Sequence, residues 1–161
     1  MCMPYLAGLR LAGRQVVVIG AGTVARRRMP MLIESGADIT VIAPDATPEI
    51  ARMALRGQLE WQQRPYRTGD LAGAWYVLVA TDDSAANSAA SLEAEGLRTF
   101  CVRADHAAAA TAWTPATAEL DGLVVGVLAG GEPRRAAQTR DLIMEVLRRV
   151  ARPGRSRRLA A

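Results

Sequence analysis

The run Gln15-Val16-Val17-Val18-Ile19-Gly20-Ala21-Gly22-Thr23-Val24-Ala25 decides how the rest of the chain is read. After Gln15 comes a short, unbroken apolar stretch rich in β-branched residues, the pattern of a central parallel strand buried on both faces. Glycines follow at once, and from Thr23 the periodicity turns helical. The spacing G-x-G-x-x-A at such a strand-to-helix junction is a dinucleotide-binding fingerprint. In it Gly20 permits the tight turn, Gly22 lets the backbone approach a pyrophosphate, and small Ala25 lets the helix pack close to the strand. The amides of Gly22, Thr23 and Val24 would hold phosphate oxygens through hydrogen bonds and the helix dipole. The alternative is a tight turn in an α/β fold that binds nothing.

Outward from this turn the chain alternates. Ala25, Met29, Leu32 and Ile33 share one helical face, Gly36 ends the helix, and Asp38 to Ala43 forms a second strand. Pro30 interrupts that helix, where an interior proline costs about 3 kcal/mol, and the expectation is a bend without a break. Next come a helix at 47–56, a strand near 59–62, the strong run 75–80, a helix at 84–95 and a strand at 99–103. Strands alternating with helices imply right-handed crossovers and a parallel sheet, here of Rossmann type. After Asp105 the pattern changes. Runs at 111–119 and 123–128 flank Asp121-Gly122, a tight-turn pair, and read as an antiparallel hairpin, followed by a helix over 133–150. Residues 1–113 are expected to form the nucleotide-binding domain, 114–150 a small hairpin-and-helix segment, and 151–161 a basic tail.

All twenty cationic side chains are arginine, and the net charge is +4. Six of them stand after residue 147 with no acid, beside Pro153-Gly154 and without aromatics, so a solvated linker is the reading and nucleic acid is not expected as a partner. No apolar run has the length of a membrane span, and no secretory signal is evident at the start; a cytoplasmic protein that does not engage the membrane is expected. Cys2 and Cys101 are too few for a disulfide framework and read as reduced thiols.

In a dinucleotide site the exit of the second strand supplies an acid for the adenosine ribose. The stretch here is Val41-Ile42-Ala43-Pro44-Asp45. Asp45 stands slightly late and either binds a ribose hydroxyl or begins a turn. No arginine stands in that stretch to receive a 2′-phosphate, which favours NAD over NADP. Pro44 and Asp45 are therefore candidate cofactor contacts, together with Thr81 and Asp82 at the exit of the fourth strand. Arg26, Arg27 and Arg28 lie early in the first helix, where positive charge opposes the dipole unless an anion is near. They are either neighbours of a pyrophosphate or a solvated face.

At Ala80-Thr81-Asp82-Asp83 after the fourth strand, and Phe100-Cys101-Val102-Arg103-Ala104-Asp105 after the fifth, the chain resembles the precorrin-2 dehydrogenase and sirohydrochlorin ferrochelatase family. This is the NAD-dependent part of siroheme synthases, and the likeness runs from Pro4-Tyr5-Leu6 through Leu128-Ala129-Gly130-Gly131. It implies that NAD takes a hydride from precorrin-2, a carboxylate-rich tetrapyrrole, giving sirohydrochlorin in siroheme biosynthesis; some members also insert iron. It places the family's key aspartate on Asp105, as the acceptor of a proton from the macrocycle. Asp82 and Asp83 then serve as helix cap and wall of the nicotinamide side, and His106 is an exposed turn residue more than a metal ligand. The resemblance also implies a homodimer formed by the hairpin and last helix. The chain departs from the family around the paired glycines, where it has Ala129 before and Glu132-Pro133-Arg134-Arg135 after. The competing reading is a non-enzymatic, dimeric NAD-sensing module.

Overall fold

The computed structural model describes residues 4–151, so Cys2 and nearly all of the arginine tail lie outside the described residues. Two compact units divide between Trp113 and Thr114. The first holds β1 (Gln15–Ile19), α1 (Thr23–Glu34), β2 (Asp38–Ile42), α2 (Pro48–Leu55), β3 (Glu60–Gln62), β4 (Tyr76–Val79), α3 (Ser84–Gly96) and β5 (Phe100–Arg103). All five strands are parallel, in the order β3-β2-β1-β4-β5.

That order follows from how β1 is built. Its residues Val16 to Ile19 are at most 1% exposed, so both faces need cover. Val16 and Val18 join Ala25 and Met29 of α1 and Ile50 of α2 in one core, while Val17 and Ile19 join Ala90 and Ala94 of α3 with Leu71 and Ala74 in another. The chain builds strands on one side of β1, then crosses to build β4 and β5 on the other. The strand order therefore reverses between β1 and β4, and it is at the carboxyl ends beside such a switch point that open α/β sheets bind ligands.

Helix α1 runs unbroken through Pro30, which is exposed, so the carbonyl it leaves unpaired one turn earlier lies toward the water side. Ser35 and Gly36 close the helix, with Gly36 at φ +72°. The link from β3 to β4 carries no helix. It is pinned instead by Glu93 of α3, which accepts from the Tyr66 hydroxyl and from the amides of Gly69 and Leu71, and by the paired Arg64 and Asp70.

The hairpin is shorter than its sequence suggests. Strands β6 (Ala116–Leu120) and β7 (Leu123–Val127) pair antiparallel across Asp121-Gly122, both with positive φ, the conformation a two-residue turn needs. The expected start at Thr111 is not realised, because Thr111 belongs to the first unit. Its amide and that of Ala112 donate to the Cys101 carbonyl, and its hydroxyl accepts from the Cys101 amide at 2.8 Å. These bonds occupy the outer edge of β5. In the second unit, α4 (Pro133–Ala151) packs on the hairpin, burying Ala136 and Met144.

Candidate active site

The glycine turn is shaped by two different requirements. Gly20 has φ +97°, and a Cβ there would stand 2.3 Å from the Ala80 carbonyl oxygen and 2.9 Å from Cγ2 of Thr81. The β1 exit and the β4 exit touch, and only glycine fits between them. Gly22, at the N-cap of α1 with φ −81°, has nothing within 4 Å of where a Cβ would sit. No side chain caps the helix, and its first turn holds no acid. The leading amides of α1 therefore open on empty space beside a positive dipole end, a cradle for an anion. Ala25 is fully buried, as close helix packing requires.

Beyond the turn, the Thr47 amide donates to the Ala21 carbonyl, while the Thr47 hydroxyl is buried with no hydrogen-bond partner among the described residues. A buried hydroxyl short of a partner beside an open cradle fits a site that something other than this chain completes. Pro44 and Asp45 are exposed at the β2 exit. Arg26 finds its counter-charge in Glu49 of α2, at 3.6 Å, so this arginine does not depend on a phosphate for a partner. Both are about 40% exposed at 39% and 41%, and their pairing contributes little. Arg27 is exposed and Arg28 half-buried.

At the β4 exit the Thr81 hydroxyl donates to Oδ1 of Asn87, and Nδ2 of Asn87 donates to the Thr81 carbonyl. Asp83 caps α3, its Oδ1 accepting from the amides of Ala85 and Ala86. Asp82 is exposed on the loop between them.

Asp105 follows the β5 exit, two strand spacings from the glycine turn, or roughly 10 Å along the same rim. Its carboxylate is gripped at both oxygens by Arg103, with Nε to Oδ1 at 3.1 Å and Nη2 to Oδ2 at 2.7 Å. The Arg103 side chain is only 7% exposed and that of Asp105 33%. The fork of Arg103 holds the Asp105 carboxyl down at about 2; partial burial opposes this and a hydrogen bond from Asn87 assists it. Asp105 is thus an ionised group on the rim, and a weak base. His106 is exposed and precedes a short 3-10 turn, its carbonyl accepting from Ala109.

Two residues of this site, Arg103 and Asn87, were not singled out by reading the sequence. Arg103 and Asp105 are two apart at a strand end, a spacing that lets a β-face cation reach back to an acid. Asn87 occupies the apolar face of α3 with Ala90, Ser91 and Ala94, and a polar residue on such a face is a usable signal.

A parallel sheet of this order, with its switch point at a bare glycine turn, defines a dinucleotide-binding protein of Rossmann type. The chain belongs to the family described as putative NAD(P)-binding, which matches residues 7–116. It is 32% identical over 123 residues to siroheme synthase 3 of Aeromonas hydrophila subsp. hydrophila, covering 76% of this chain and 26% of that protein. It is 38% identical over 79 residues to precorrin-2 dehydrogenase of Bacillus subtilis, 49% of each chain. The structure resembles that of SirC, precorrin-2 dehydrogenase, with a TM-score of 0.75 at 26% identity, covering 89% of this chain and 71% of that one. The chain spans about a quarter to about half of the curated relatives it matches, at 26% and 49% of their lengths.

Proposed function

We propose that this chain oxidises precorrin-2 to sirohydrochlorin, with NAD as hydride acceptor, in siroheme biosynthesis in the cytoplasm. The observation that carries the reading is the ionised Asp105 on the same sheet rim as the phosphate cradle at Gly22. Precorrin-2 gives up one hydride and one proton, and the products are sirohydrochlorin, NADH and the proton. Bound NAD supplies the two-electron acceptor. The chain supplies the rest: Gly20 to Val24 anchor the pyrophosphate, Pro44 and Asp45 border the adenosine end, Thr81 and Asp82 wall the nicotinamide side, and Asp105 faces the macrocycle.

The preference for NAD has a physical basis. Arg64 stands just beyond the exit of β3, the strand beside β2, but its guanidinium is engaged by Asp70 at 2.7 and 2.8 Å. Arg26 is engaged by Glu49. An exposed carboxylate at Asp45 suits a ribose hydroxyl better than a 2′-phosphate, whose charge it would repel. Protein mixed anaerobically with precorrin-2 and NAD is expected to yield NADH and sirohydrochlorin in equal amounts, and much more slowly with NADP. Tight NAD binding without oxidation would leave the sensing module as the better reading.

Residues 114–150 serve in this proposal as the dimerisation segment. Leu142, Val146 and Val150 recur at helical spacing on α4 and are more than half exposed, and Leu123 and Val124 at the start of β7 are at least half exposed. Sedimentation equilibrium is expected to give twice the chain mass, and Leu142→Glu with Val146→Glu to give a folded monomer; a monomeric wild-type protein refutes the dimer.

A further inference from the structure

The clamp on Asp105 bears on the order of events in the reaction. A general base that removes a proton first works best with a pKa near the working pH. Asp105 is held far from that. Its two oxygens are taken by a guanidinium that is itself 7% exposed, on a strand covered by α3, so a substrate carboxylate has no open route to displace the arginine. A fixed anion at a rim does other work well. Hydride loss leaves positive charge on the macrocycle, and a preorganised carboxylate stabilises that charge as it develops. The resulting cation is a strong acid, so a weak acceptor then suffices for its proton.

We infer that Arg103 is the positioning residue of this site: it holds Asp105 ionised and aimed, so that Asp105 acts as counter-charge while the hydride leaves and takes the proton only afterwards. This rests on the reaction proposed above. The surroundings are consistent with it from each element packed there. From α3, Asn87 is 1% exposed and joins Asp105 to the Thr81 network, so the β4 and β5 exits are tied through one amide. From β5, the Cys101 thiol is pushed up by burial and stays uncharged beside Arg103. His106 follows in the chain and is exposed. Ser91 of α3 spends its hydroxyl on the Ala109 carbonyl at 3.1 Å. Arg103 is the cation paired with Asp105 among the described residues.

The test separates charge from aim with two variants and reads the carboxyl directly. In the cofactor-free protein, the carbon resonance of the Asp105 side chain is followed by NMR through an acid titration. The wild-type midpoint is expected at about 2, that of Arg103→Met at about 4 or above, and that of Arg103→Lys below about 3, since the ammonium keeps the charge and loses the fork. In turnover, kcat/KM of the wild type is expected to stay level on its acid side down to about pH 4, whereas Arg103→Met acquires an acid limb at its raised midpoint. Arg103→Lys should keep the level profile and lose about tenfold or more in kcat, with KM for NAD unchanged. Should Arg103→Met not fold, Arg103→Lys decides through its rate: a variant that turns over as fast as the wild type overturns the positioning role of Arg103. An unmoved midpoint in both variants overturns the clamp, and a moved midpoint with an unmoved pH profile overturns its part in the reaction. If the wild type oxidises no precorrin-2, the function proposed above falls, and the carboxyl titration still decides whether Arg103 sets the charge of Asp105.

Discussion

Gly20→Ala is expected to destabilise the fold by about 2–4 kcal/mol and to abolish cofactor binding with it. The residue holds φ +97°, which costs an alanine about 1–2 kcal/mol. The added methyl would also meet the Ala80 carbonyl oxygen at 2.3 Å and its carbon at 2.8 Å, both backbone atoms with no rotamer to yield. Relief requires β1 and β4 to part at their exits, where the Ala80 amide donates to the Ile19 carbonyl at 2.8 Å, while the Gly20 amide, donating to the Ile42 carbonyl at 2.9 Å, ties the turn to β2 on the other side. Gly22→Ala is the control. Its Cβ meets nothing and its φ is ordinary, so the loss of stability should stay near the ~1 kcal/mol of a poor N-cap. NAD affinity should nevertheless fall tenfold or more, about 1.4 kcal/mol, because under the proposed function the methyl would stand where the pyrophosphate approaches. Urea midpoints and calorimetric NAD titrations of both variants read the two effects. Equal affinity losses at unchanged stability would mean that Gly20 is not a strand-packing residue, and an unaltered Gly22→Ala affinity would remove the cradle.

The difference between those glycines shows how far sequence reaches. The spacing G-x-G-x-x-A placed the turn, and the apolar run before it placed the central strand, because both signals are local and periodic. The five parallel strands followed from the alternation of periods. Thr111 was misplaced for the opposite reason. Residues 111–119 look like one strand to any local rule, yet Thr111 and Ala112 are spent on the β5 edge at Cys101, a partner ten residues back. The same holds at the site. Asp105 was legible from its place after the fifth strand and from the motif around it. Its state was not, since that depends on how Arg103 bends back and on Asn87 arriving from α3, contacts set by packing between elements and not by spacing along one.

Asp105→Asn is expected to lower kcat for precorrin-2 oxidation by about 10²–10⁴, equivalent to roughly 3–5 kcal/mol of transition-state stabilisation. NAD affinity should change by no more than about twofold, because the phosphate anchor lies roughly 10 Å away along the rim. The amide is nearly isosteric, so packing is little altered. It removes the negative charge, however, and turns an NH2 toward one arm of the Arg103 fork. A helix cap or turn residue would tolerate that exchange, and full turnover in the variant would assign Asp105 to such a role. Stability supplies an independent check with a definite sign. The folded carboxyl at about 2 lies below its ordinary 3.8, so the wild type gains stability that is complete above that range and is lost as pH falls toward about 2. The variant has no such group. The stability difference between the two proteins should therefore be largest near neutrality and shrink in acid. A difference constant down to pH 2 would mean that Arg103 does not hold this carboxylate in solution, and the loss of rate would then need a cause other than the missing anion.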